Sequence, residues 1–221
     1  MKSGIIIFPG SNCDKDLAFA LNSIAGNMTQ LIWHKDSSLP RGLDIIFIPG
    51  GFSFGDYLRC GAIAAHSPIM KSVVSFANSG GYILGICNGF QILTETSLLP
   101  GSLMRNINLK FICCEQEVIS NTNDNIFTKN FVKGKAFKIP VAHHDGNYVC
   151  NDTVLDSLMA EDRIALQYAE NKNGSKSSIA GVLSKNKRVL GMMPHPERAM
   201  DKTSGLYAGK KLFYSIIEHI N

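Results

Sequence analysis

The chain has 221 residues, 45% hydrophobic and 18% charged, with a formal net charge of +4. That length fits one globular domain over residues 1–221, able to bury roughly 70% of its unfolded surface, so no staple is needed to hold it. Six cysteines, at 13, 60, 87, 113, 114 and 150, form no C-x-x-C pair and no zinc-finger set, so free thiols, a reducing compartment and no metal site are expected.

The densest basic cluster, SKNKR (Ser184–Arg188), fits a solvated hairpin better than a nucleic-acid patch. The N-terminal MKSGIIIFPG is broken by Pro9-Gly10 and is too short for a signal peptide. No stretch approaches the roughly 20 apolar residues of a membrane span. These features lead us to expect a cytoplasmic protein without nucleic-acid or membrane partners.

In chain order, GIIIFPG (Gly4–Gly10) reads as a buried strand ending in a turn. DKDLAFALNSIAG follows, with Leu17, Ala20, Leu21 and Ile24 on one helical face and Gly26 as a left-handed stop. QLIWH and LDIIFIPGG read as the next strands, the latter apolar on both faces as a central parallel strand is. SPIMKSVVSFANSGG predicts a helix with Ser67 as N-cap and Pro68 at the first position, closing at Gly80 or Gly81. YILGIC is another buried strand, followed by a helix from about Asn88.

Strand and helix therefore alternate over the first hundred residues. This predicts an α/β fold with a mostly parallel central sheet and helices on both faces. Beyond residue 101 the texture becomes β-rich. LKFICCEQEVIS, KAFKIPVAHH, RIALQYAE, SIAGVLS and RVLGMMP read as strands, with a hairpin turn at Lys185–Asn186. The last segment, TSGLYAGKKLFYSIIEHI, has Leu206, Leu212, Phe213, Ile216, Ile217 and Ile220 at near-helical spacing and predicts a terminal helix.

Cys87 stands where the YILGIC strand turns into a helix, at the carboxyl end of a strand, where open α/β sheets bind ligands. Gly85-Ile86-Cys87-Asn88-Gly89 has the G-x-nucleophile-x-G pattern, since a sharp strand–turn–helix leaves no room two positions to either side. A helix N-terminus favours a thiolate, and the Asn88 N–H offers half an oxyanion hole. Alone, this pattern does not separate a nucleophile from a packed thiol. Two further segments favour the nucleophile. In IPGGFSFGD (Ile48–Asp56), Gly50 and Gly51 follow a buried strand and let a backbone N–H approach a substrate oxygen. In MMPHPER (Met192–Arg198), His195 supplies a base; Pro196 biases it toward extended chain, so Glu197 projects on the same side and can orient it. The remaining cysteines lack this setting and are expected to be packing or surface thiols.

GICNGFQIL, IPGG and PHPE resemble the signature of class I glutamine amidotransferase domains. Over almost the whole chain, FPGSNCD, IPGGFSFGDYLRCGAIA, NLKFIC, IPVAH and LGMMPHPER resemble more narrowly the glutaminase subunits of purine biosynthesis. The resemblance implies a flavodoxin-like amidotransferase fold with β-rich additions. It implies that Cys87 attacks the glutamine side-chain amide, with His195 as proton shuttle and Glu197 as its orienting acid. Gly51 and Asn88 match the oxyanion hole, and Gln91 matches a substrate-binding residue, as do Asn108 and Phe111 in the Asn108–Phe111 segment. Ammonia would pass to a large synthetase subunit that uses ATP and magnesium to convert formylglycinamide ribonucleotide to its amidine, a small subunit bridging the two. No G-x-x-x-x-G-K-[ST] occurs, so no cofactor is expected in this chain.

Two positions depart from the family pattern. Cys114 replaces the arginine of KFICR, and His144-Asp145 replaces Gly-Glu in PVAHGEG. The competing readings are a γ-glutamyl hydrolase-like cysteine hydrolase on the same fold and a non-catalytic regulatory subunit.

Overall fold

The computed structural model describes residues 1–26, 29–203 and 205–220. The chain opens with β1 (Ser3–Ile7), α1 (Asp14–Ala25), β2 (Gln30–Trp33) and β3 (Ile45–Ile48). Leu17, Ala20 and Leu21 of α1 are buried while Phe19 is exposed, as one apolar face requires, and Gly26 ends the helix in the left-handed region at φ 65°. All four residues of β3 are fully buried, each side chain contributing about 1.5–3 kcal/mol by leaving water.

Next come α2 (Ala62–Ala65), α3 (Pro68–Asn78), β4 (Tyr82–Ile86) and α4 (Asn88–Glu95). Ser67 occupies the N-cap of α3 with extended backbone, but its side chain makes no capping bond, so the preset φ of Pro68 opens this helix. The second half holds β5 (Ser102–Met104), β6 (Ile112–Ser120), β7 (Ala136–His143), β8 (Asn147–Val149), α5 (Asp152–Ala160), β9 (Ile164–Tyr168), β10 (Ile179–Leu183), β11 (Val189–Met192) and α6 (Ala208–His219).

Nine strands form one sheet in the order β2-β1-β3-β4-β11-β10-β9-β6-β7, and β5 pairs with β8 apart from it. The pairs from β2 to β11 are parallel; those from β11 to β7 are antiparallel. The predicted strands are therefore all present, and the β-rich half extends the parallel sheet. The order reverses between β1 and β3. Right-handed crossovers then put α1 and α3 on opposite faces and open a crevice at the carboxyl ends of those strands.

The structure departs from the sequence reading at α2, β5 and β8, which the pattern does not predict, and at α5 and Leu206. α5 was not anticipated; its signal is Asn151, whose Oδ1 accepts the Val154 N–H at 2.8 Å as an N-cap. Leu206 lies outside the terminal helix, in an isolated bridge with Asp201, and α6 begins at Ala208.

Candidate active site

Sheet register gathers the candidate residues on one rim. Ile48 of β3 pairs with Gly85, and Met192 of β11 pairs with Ile86, so the residues just beyond these strand ends are neighbours. Gly50 and Gly51 leave β3, Cys87 leaves β4, and His195 follows β11. The Cys87 N–H donates to Met192 O at 2.7 Å, and the His195 N–H donates to Pro140 O of β7 at 2.8 Å.

Cys87 is buried at φ 50°, ψ −104°, a conformation that costs a non-glycine residue on the order of 1–3 kcal/mol. The flanking glycines are clearance. A Cβ on Gly89 would collide with Ile48 O, and one on Gly85 would stand 2.7 Å from Gly89 O. The sulfur faces Ala142 O at 3.6 Å. The Asn88 N–H is one of the donors that a helix start leaves without an intrahelical acceptor.

His195 and Glu197 are both buried, and Nδ1 lies 2.6 Å from Glu197 Oε1. The pair forms as expected, by a different route: Pro196–Arg198 is a 3-10 turn, and the turn rather than extended chain brings the carboxylate to the ring. With Nδ1–H donating to Glu197, Nε2 of the neutral ring is the nitrogen that carries the lone pair. Burial pulls the imidazole pKa down, but the Glu197 carboxylate, with Cys87 and Cys13, outweighs it and holds His195 well above its ordinary value. Nε2 meets no partner at hydrogen-bonding geometry among the described residues, while the Cys87 and Cys13 thiols lie close enough to act on the ring.

Gly51 needs to be glycine: φ is +117°, and a Cβ would lie 2.6 Å from Asn12 N. Gly50 packs under the histidine, its missing Cβ 2.8 Å from His195 Cε1 and 3.4 Å from Cys87 Cβ. Gln91 is buried, donating from Nε2 to Asp145 O at 2.7 Å and accepting from Asn88 Nδ2 at 2.9 Å. Its amide thus ties the elbow helix to the β7–β8 turn that carries the unusual His144-Asp145. Phe111 is half-exposed and lines a cavity of about 230 Å³ together with Cys13, Gly51, Ala142 and His195. Asn108 stands apart on an exposed turn, its Oδ1 accepting the Lys110 N–H at 3.0 Å.

Three residues of this region were not singled out from sequence. Cys13, expected to be an ordinary packing or surface thiol, lies in the site: its Sγ accepts from Arg198 Nη2 at 3.1 Å, and it lines the cavity with His195. The placement comes from topology, because β1 lies beside β3, and position 13 carries no local sign of it. Asn106 is fully buried and holds the 106–110 turn, donating to Lys110 O and His143 O and accepting from the Gly146 N–H. His143 contacts Asn106 through Nδ1 at 3.0 Å; burial, then the nearby His195 charge, push its pKa down to about 4.

A thiol on a strained strand–helix turn, beside a buried imidazole–carboxylate pair, can perform nucleophilic acyl transfer. The comparisons agree with that class. Residues 1–212 match the family model described as a CobB/CobQ-like glutamine amidotransferase domain, and the chain belongs to this family. Among curated relatives, phosphoribosylformylglycinamidine synthase subunit PurQ of Ruegeria sp. (strain TM1040) is 55% identical over 98% of this chain and 97% of its own length. The same subunit of Jannaschia sp. (strain CCS1) is 56% identical with the same coverage. Among solved structures, a chain of PurLQS from Thermotoga maritima is 41% identical with TM-score 0.88, covering 100% of this chain and 99% of that one.

Proposed function

We propose that the chain is the glutaminase subunit of a phosphoribosylformylglycinamidine synthase. It hydrolyses glutamine to glutamate and delivers ammonia to a large ATP-dependent synthetase subunit, which converts formylglycinamide ribonucleotide to formylglycinamidine ribonucleotide in purine biosynthesis. The buried His195 Nδ1–Glu197 Oε1 contact of 2.6 Å beside Cys87 carries the chemistry. The full-length similarity to PurQ subunits carries the pathway.

In this reading Cys87 Sγ attacks the side-chain amide carbon of glutamine and His195 takes the thiol proton. Glu197 fixes the tautomer that leaves Nε2 free and stabilises the imidazolium. The N–H groups of Gly51 and Asn88 receive the oxyanion. His195 then protonates the departing ammonia, and water clears the glutamyl thioester. We assign Gln91 and Phe111 to the substrate pocket, Gln91 by fixing its wall, and leave Asn108, on its exposed turn, outside it. This chemistry asks for no cofactor from the chain itself; ATP and magnesium are assigned to the synthetase subunit. Exposed Tyr57, Leu58, Ile107 and Leu109, on the loops after Gly51 and before Phe111, are large apolar residues suited to a partner surface, and they fit docking to the synthetase and a small bridging subunit. No helix among the described residues is long and apolar enough to cross a membrane, and we place the chain in the cytoplasm with the rest of its complex.

Reconstitution with the synthetase tests this reading. Cys87→Ser is expected to abolish amidine formation from glutamine and leave formation from ammonia intact. Retained glutamine use in that variant refutes the nucleophile, and preference of the wild-type chain for γ-glutamyl peptides over glutamine refutes the substrate.

A further inference from the structure

The hydrolytic cycle uses one thiol, yet a second is buried in the same pocket. One donor atom each from Cys13, His195 and Glu197 lie within 4.8 Å of one another, and all three residues are buried. Two of the polar atoms here, His195 Nε2 and Glu197 Oε2, are buried with no hydrogen-bond partner among the described residues. Thiolate, imidazole and carboxylate together make the mixed donor set that a borderline-soft, tetrahedral cation accepts, with the fourth position left for water. Coordination at zinc-type bond lengths places donors about 3.5 Å apart, so the trio needs to close by no more than about 1.3 Å. The cavity lined by Cys13, His195 and Arg198 provides an entry path. Thiolate and carboxylate together neutralise a divalent cation, and the neighbouring Arg198 charge is offset by Asp16. Arg198 Nη2 hydrogen-bonds the Cys13 sulfur at 3.1 Å, and its Nε lies 3.6 Å from Asp16 Oδ2, a partner it retains when the sulfur turns to a metal.

We propose that Cys13, His195 and Glu197 form an inhibitory binding site for a divalent cation of the zinc class. On binding, Cys13 and the ring of His195 each release a proton to solvent, leaving a thiolate and a neutral imidazole as ligands. Whichever ring nitrogen of His195 takes the metal, the imidazole–carboxylate pair cannot ligate and serve Cys87 at once. Metal and turnover are therefore mutually exclusive. The loss of turnover rests on the glutaminase reading; the binding does not.

Zinc is titrated against a chromogenic chelator with the wild-type chain and with Cys13→Ala, Cys13→Ser and Cys87→Ser, the serine at 13 preserving side-chain volume should alanine unfold. Wild type and Cys87→Ser are expected to bind one equivalent, and both Cys13 variants to bind at least tenfold more weakly. In the reconstituted complex, zinc is expected to suppress the glutamine-dependent rate of wild type and spare the ammonia-dependent rate. No one-to-one binding by wild type overturns the proposal. So does undiminished binding by the Cys13 variants, or loss of binding in Cys87→Ser, which would put the metal on the nucleophile alone. If the chelator titration succeeds but the chain hydrolyses no glutamine in any complex, the metal site stands and the glutaminase reading falls.

Discussion

Gly50→Ala tests the positioning of the base without removing any reacting group. Gly50 lies outside the left-handed region, so alanine meets no backbone penalty there. Its Cβ would stand 2.8 Å from His195 Cε1, about 0.6 Å short of ordinary contact. The ring has little freedom to retreat, being held by Glu197 Oε1 at 2.6 Å through Nδ1 and by Pro140 O at 2.8 Å through its backbone N–H. Overpacking of this kind costs about 1–3 kcal/mol, and a misplacement approaching 1 Å costs up to about a hundredfold in rate. We therefore expect the glutamine-dependent rate to fall roughly 10- to 100-fold, mainly in kcat, and the melting temperature to drop by several degrees. The ammonia-dependent rate of the same complex should stay within about twofold, because the damage lies in the glutaminase step. A full glutamine-dependent rate would refute the steric argument. Equal losses with both nitrogen sources would show that the substitution disturbs the complex and not the base.

Glu197→Gln keeps the shape of the acid and removes its charge; about a 10²- to 10⁴-fold loss of glutamine turnover is expected, since the amide can favour the wrong imidazole tautomer. The same variant should lower the pH at which His195 gives up its proton, followed by NMR of the ring; an unmoved titration would sink the assignment of Glu197 as the principal group raising it. His143 makes the fold acid-sensitive. Folded, it takes a proton only near pH 4, whereas the unfolded chain takes one near 6.5, so the unfolded state binds more protons in between. Stability should be fully present above about pH 6.5 and fall by about 3 kcal/mol as the pH drops to 4, in a thermal-melt series that His143→Gln flattens. Identical slopes for the two proteins would refute this.

The parallel half of the fold was legible because its strands are buried on both faces, and a run such as Ile45–Ile48 needs no neighbour to announce itself. The hairpin at Lys185–Asn186 was equally local. Strand order was not legible. Nothing in Val189–Met192 says that it pairs with Tyr82–Ile86, more than a hundred residues earlier, yet that pairing brings His195 to Cys87. Asp152–Ala160 sits among strands, and the Asn151 cap is its main local sign of a helix. Leu206 shared the spacing of the terminal helix, but Asp201 recruits it into a bridge before the helix begins.

The site divides in the same way. The elbow glycines and the His195–Glu197 pair lie within a few residues of one another, so steric clearance and side-chain reach could be argued from spacing alone. Cys13 could not be argued so, because Arg198 meets it from 185 positions away. Its arrival changes what an experiment on this site means. Cys13 and Cys87 each occupy the N-cap of a helix, α1 and α4, on the same sheet rim. His195 is within the electrostatic reach of both. Inactivation by a thiol reagent or a thiophilic metal therefore does not identify Cys87 as the group attacked. The distinction requires the label to be mapped, or Cys13 to be replaced first, and only loss of glutamine turnover in a chain already lacking Cys13 assigns the reaction to Cys87.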